Sequence, residues 1–317
     1  MAGRIAGIDV LKVFAVLFVL NSHMGACYGE YAVLATGGAI GDALFFFCSG
    51  FTLLLGAPRD FLNWYKRRIA RIYPSVLVVG VLACALWGAR DDIVEVVTFE
   101  KYWFLRCIFF YYLLIFPIKK YFLNRLKTVF GVCAAALAAI YLCFFAREQS
   151  GLIYGGGVFR EMMYFLFMLA GAIVGRDAGR ERVWRLWHLP ALILSVGAWY
   201  GIVALWGGSA WHVLSVVPLL GVAYFLYSLA SSPFFARCYE TPVLGNLLFV
   251  AGSLCLEVYL VQRYLFTTAL NAWFPLNIPI VMAFVFAVAY GVKALSEFLS
   301  QTFDSKPYEL KKLLLRK

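Results

Sequence analysis

His23 closes an apolar run, FAVLFVLNSH, and stands eleven residues after Lys12. A neutral imidazole can take a proton from a hydroxyl near pH 7, and a neighbouring carboxylate raises its basicity. On a helix, eleven residues are three turns, so the two side chains share a face and lie about 16 Å apart along the axis. Asp9 shares that face and makes an ion-pair candidate with Lys12, with the histidine at the opposite end. Two readings of these residues stand open. In one, His23 is a base or a proton relay. In the other, it caps hydrogen bonds at headgroup level while Lys12 snorkels to the opposite surface.

Few other polar groups interrupt the apolar stretches: Asp42, Arg106, Glu257, Arg263, Lys293 and Glu297. A charge near the centre of a spanning helix costs roughly 3 kcal/mol, so each of these needs a partner, a cavity or a task. Arg106, Gln262 and Arg263 are expected at a depth comparable to His23. Glu257 is expected more than a turn deeper, placed to neutralise one of them. Such a gathering suits a general base with Arg106 as an oxyanion donor. It equally suits a proton-coupled transporter or flippase using Lys12, His23 and Glu257 as a relay.

The elements that must position these residues are membrane spans. The chain is 63% hydrophobic and 14% charged, with mean hydropathy +0.83, far from the 45–50% apolar content of soluble domains. No stretch is polar or long enough for a separate soluble domain, so residues 1–317 read as one membrane-embedded domain. The formal charge of +11 does not require a nucleic acid, because Lys and Arg fall in short clusters between apolar runs. The eight cysteines are scattered without CxxC spacing and read as small interior residues. The N-terminus resembles a lipoprotein signal ending at Cys27, but Asp9 and Lys12 inside its apolar core argue against cleavage.

Ten spans are expected: Ile8 to Cys27, Gly38 to Leu55, Ile72 to Gly88, Tyr102 to Ile118, Thr128 to Ala146, Met162 to Gly175, Leu189 to Trp206, Val213 to Leu229, Leu244 to Leu270 and Pro279 to Leu299. Of the Lys and Arg residues outside them, twenty lie on one side. Only four, Arg90, Lys101, Arg147 and Arg160, lie on the other. The positive-inside rule then puts both termini in the cytoplasm. The expected fold is an all-α polytopic transmembrane helical bundle.

The inner clusters include YKRRIARIYP, where Arg68 and Arg71, with Lys66 nearby, offer guanidinium forks for phosphate. The bland reading is a basic loop against anionic lipid headgroups. Ser49 and Gly50 suit close helix packing, and Trp103 an interface anchor. YGGGVF lacks the lysine and hydroxyl of a phosphate loop, and no metal-ligand cluster is evident.

Five strings, in order, carry a resemblance: GIDVLKVFAVLFVLNSH, FFFCSGF, YKRRIARIYP, YWFLRCIFFYYLLIFPIKK and GSLCLEVYLVQ. Together they resemble the acyltransferase-3 family of integral membrane O-acyltransferases. The resemblance implies transfer of an acyl group, most simply acetyl, from cytoplasmic acyl-CoA to a hydroxyl of a glycan or lipid-linked sugar across a bacterial cell membrane. It makes His23 the essential histidine, acting as general base or as an acyl-histidine relay. It assigns Arg68 and Arg71 to the coenzyme A phosphates and Ser49 to an acyl-channel lining, with Lys12 ordering the inner end of the acyl route. Two departures are visible. Lys12 stands where the family usually has arginine, keeping the charge without the bidentate fork, and Gln262 stands where many relatives have histidine.

Overall fold

The computed structural model describes residues 5–54, 60–88, 92–100, 102–145, 154–177, 184–304 and 307–315. Among these the protein is all-α, without a strand. In chain order the helices are α1 (Ala6–His23), α2 (Gly25–Tyr28), α3 (Gly38–Leu53), α4 (Phe61–Trp87), α5 (Asp92–Val97), α6 (Trp103–Tyr121), α7 (Leu126–Ile140), α8 (Val158–Asp177), α9 (His188–Trp206), α10 (Val216–Ala230), α11 (Pro233–Glu240), α12 (Pro242–Ser253), α13 (Cys255–Leu265) and α14 (Asn277–Thr302).

Every expected span falls on a helix, with informative differences. Seven segments are individually long and apolar enough to cross a membrane among the described residues, and two bent pairs raise the number to nine. The expected span Tyr102 to Ile118, α6, is not among these nine and carries Arg106, Lys119 and Lys120 within its 19 residues. The expected span Leu244 to Leu270 is two helices, α12 and α13, meeting at Leu254 with a 73° bend. The break has a local cause. Gly252 is a weak helix former, and the next residue, Ser253, donates to the Phe249 carbonyl at 2.6 Å, the kind of Gly/Ser pair at which helices kink.

The span expected from Ile72 starts eleven residues earlier, because α4 already runs from Phe61. Asp60 caps it by accepting the Asn63 N–H at 2.9 Å, and no breaker intervenes before Pro74. Its 27 residues give about 40 Å, longer than the roughly 30 Å hydrocarbon layer. Hydropathy sees only the apolar half, so YKRRIARIYP is helix rather than loop.

The chain groups into two compact units, each discontinuous in sequence: Met1–Ala15, Ala39–Pro58 and Tyr111–Cys238 in one, and Val16–Gly38, Arg59–Phe110 and Tyr239–Lys317 in the other. In the first, α3 lies directly on α8. A Cβ at Gly50 would stand 1.8 Å from the Met168 carbonyl oxygen, and one at Gly171 2.0 Å from that of Phe47. Here the two backbones touch, as small residues allow in membranes. Phe46, Phe47 and Phe51 fill the flanks, packed on Tyr164, Tyr111 and Tyr227. Half-buried Ser49 belongs to this packed stretch. Lys119 is buried and donates to the Leu53 carbonyl at 2.6 Å, closing the end of α3.

In the second unit α4, α13 and α14 pack on one another. The turn after α1 is sewn to the stretch before α14: Asn277 Nδ2 donates to the Cys27 carbonyl at 2.7 Å and Asn271 Nδ2 to that of Ala26 at 2.9 Å.

Gly50→Ala and Gly171→Ala should each lower the thermal midpoint of the detergent-purified protein by an amount corresponding to at least about 1–3 kcal/mol, the usual cost of overpacking. Gly131→Ala, where nothing lies within 4 Å of the added Cβ, should leave the midpoint unchanged in the same assay.

Candidate functional site

The second unit carries the site. Its geometry begins where α1 ends. Ser22 Oγ back-bonds to the Val19 carbonyl at 2.8 Å, and Met24 then leaves helical geometry, so His23 occupies the last turn. Asn21 fixes this end from the other side. Its Nδ2 donates to the carbonyls of Leu34 and Thr36 at 2.8 and 3.0 Å, while its Oδ1 accepts from Tyr28 at 2.5 Å.

His23 is exposed, yet its ring is held by a buried group: Nδ1 lies 3.2 Å from Nε2 of Gln262, which is 4% exposed. Gln262 sits on α13, the helix that the Leu254 break releases from α12. Tyr102 ties the start of α6 to the same stretch, donating to the Leu260 carbonyl at 3.0 Å, and its ring packs on Tyr259. Trp87 stacks on Tyr264 at 4.9 Å. Thus the end of α1 touches α13 through Gln262, and the start of α6 touches it through Tyr102. Arg106 lies one turn past Tyr102 and is exposed.

The imidazole has two chemical states open to it. If Gln262 donates to Nδ1, the ring proton is on Nε2. If the carboxamide is turned over, Oε1 accepts from Nδ1–H and Nε2 carries a free lone pair. Only the second arrangement leaves a base.

Glu257 is elsewhere engaged, which corrects its expected role beside His23. Its carboxylate is 1% exposed, accepts from Ser75 Oγ of α4 at 2.7 Å and faces Lys293 Nζ of α14 at 3.5 Å. Lys293 also pairs with Glu297 at 3.0 Å, one turn on. This clasp joins α4, α13 and α14. In this unit Arg68 stands seven residues before Ser75 on the same face of α4, while Gln262 stands five residues after Glu257 on α13, about 140° around that helix.

The basic cluster is divided by its helix. Arg68 and Arg71 are three residues apart and about 60° around the axis, whereas Lys66 points about 140° or more from both. Arg68 is half-buried, with its guanidinium carbon 5.2 Å from the centre of the Trp64 ring, and Arg71 is exposed. In the first unit, Lys12 pairs with buried Asp9 at 3.5 Å. No group of three or more potential metal ligands occurs among the described residues.

The family model of the acyltransferase-3 acyltransferase domain matches residues 5–294. The chain belongs to the acyltransferase-3 family. That membership, with the apolar helices, makes it a multi-pass membrane protein of a family with acyltransferase activity. The matched region of this acyltransferase-3 protein contains His23, Gln262 and every member of the Ser75–Glu257–Lys293 clasp. No curated protein and no solved structure matches the chain. Sequence reasoning missed Ser75, Asn21, Asn271 and Asn277 as positioning residues. The one available signal was compositional, since each is a polar side chain inside or beside an apolar run.

Lys293→Leu should destabilise the protein by about 3 kcal/mol or more, because it strands a buried carboxylate. Adding Glu257→Gln should restore most of the loss, since the amide still accepts from Ser75. Thermal unfolding of the single and double variants in one detergent reads both effects.

Proposed function

We propose that the protein transfers an acyl group, most simply acetyl, from cytoplasmic acyl-CoA to a hydroxyl of an extracytoplasmic glycan or lipid-linked sugar. The carrying observation is the contact of buried Gln262 with the ring of His23, in the unit that also holds Arg68 and Arg71. Both termini on the Lys/Arg-rich, cytoplasmic side place Arg68 and Arg71 at the inner face and His23 near the outer one. Arg68 and Arg71 hold the donor's phosphates, Arg68 with its guanidinium braced on Trp64. The thioester end reaches the neighbourhood of His23. Lys66, on another arc of α4, contributes long-range charge rather than a direct contact.

The reaction then follows from the ring's hydrogen bonding. With Oε1 of Gln262 accepting from Nδ1–H, Nε2 accepts the proton of the acceptor hydroxyl as its oxygen attacks the thioester carbonyl. The tetrahedral oxyanion is stabilised by a donor such as Arg106. Collapse breaks the carbon–sulfur bond, and the departing thiolate takes the proton from the imidazolium. Gln262 accepts from Nδ1–H both before and after the transfer. It is a positioning residue, neutral where a carboxylate would raise the basicity of the ring.

In membrane vesicles given radiolabelled acetyl-CoA and cell-surface glycan, His23→Ala should reduce transfer about 10²–10⁴-fold with donor affinity retained. Gln262→Leu should lower kcat with little change in donor KM. Gln262→Glu should move the acidic limb of the rate profile to higher pH by about one unit, because a more basic ring stays protonated to a higher pH. Undiminished transfer by His23→Ala rejects the proposal. Arg68→Ala with Arg71→Ala should weaken donor binding, more at low than at high ionic strength.

A further inference from the structure

In the first unit a cavity of about 290 Å³ opens where α7 begins and α8 ends. Its lining includes Arg125, Lys127, Thr128, Arg176 and Asp177, three cations against one carboxylate. Among the described residues none of the three cations is in an ion pair. Arg176 Nη1 donates to the Leu123 carbonyl at 2.8 Å, which orients the guanidinium at the edge of the cavity. The N-cap residue of α7, Arg125, makes no capping bond with its side chain, and the positive end of that helix's dipole adds to the same wall. The volume equals roughly ten waters, enough for a phosphate and the first carbons attached to it.

We propose that this cavity is a binding site for an organic phosphate, held by Arg125, Lys127, Arg176 and the first turn of α7. Two sources carry that chemistry: the headgroup of an anionic phospholipid, and a phosphate of a soluble nucleotide such as coenzyme A. Position favours the headgroup. The span beginning at Leu123 is only 6% buried within the protein, so its flank belongs to lipid, and its basic end lies on the Lys/Arg-rich side where anionic headgroups gather. The site does not depend on the role given to His23, because its occupancy is read by binding and not by transfer.

The test uses the full-length protein with Arg125→Gln, Lys127→Gln and Arg176→Gln combined, beside a charge-preserving Arg125→Lys/Arg176→Lys variant. Phosphatidylglycerol retention against phosphatidylcholine is measured by native mass spectrometry in mixed-lipid nanodiscs. Affinity for coenzyme A and 3′-dephospho-coenzyme A is measured on the same preparations. At least a tenfold loss of phosphatidylglycerol preference in the neutralised protein, with coenzyme A affinity unchanged, assigns the headgroup. A tenfold loss of coenzyme A affinity, smaller for the dephospho form, assigns the nucleotide phosphate. The charge-preserving variant should bind near the wild-type level, and equal loss in both variants overturns a charge-based site. Unchanged binding of all three ligands overturns the proposal outright. Should the triple variant not fold, Lys127→Gln alone must still weaken one of these ligands at least threefold, and no weakening contradicts the site.

Discussion

A carboxylate cannot stay ionised inside a membrane protein without a cation and hydrogen-bond donors around it. Glu257 sets Oε1 against Ser75 Oγ and Lys293 Nζ, its buried Oε2 has no hydrogen-bond partner among the described residues, and the contacts of Oε1 tie together the three helices that carry these residues. The consequence reaches beyond one ion pair. Helix α13 is only 11 residues long and is cut off from α12 by the Leu254 bend, so its direction is set by what it grips. Gripping α4 and α14 near its start, it presents Gln262 five residues later to the ring of His23.

The imidazole is held from several directions at once. Asn21 fastens the helix that ends with it, Asn271 and Asn277 fasten the chain that follows it, and Gln262 meets the ring. An exposed histidine on a frayed helix end would sample many positions. Here the surrounding amides remove that freedom. In the proposed reaction the neutral carboxamide leaves the ring less basic than a carboxylate would, so that a proton taken from a hydroxyl can be released to a thiolate.

Local features were legible in the sequence. The Asp9–Lys12 pair follows from helical spacing and the apolar runs mark the helices, whereas the break at Leu254 was read as one continuous span. His23 stands out because an apolar run seldom ends in a titratable group. What was hidden is which helices are neighbours. Gln262 is 239 residues from His23, Ser75 182 from Glu257 and Asn277 250 from Cys27. In a soluble protein the apolar face of each helix points to its partners. Here lipid is as apolar as the interior, so hydropathy does not say which face meets protein. For the same reason Glu257 reads as a partner for the outer polar groups until its actual partners, one a serine in a run of valines and leucines, are seen.

The central claim is that a thioester is brought to Nε2 of His23. The most direct measurement is a cryo-electron microscopy structure of the protein with a non-hydrolysable acyl-CoA analogue. The account predicts phosphates at Arg68 and Arg71 and the acyl carbonyl carbon within about 5 Å of Nε2, close enough for an attacking hydroxyl between them. A bound analogue whose carbonyl lies far from His23, with the ring turned to lipid, would contradict it.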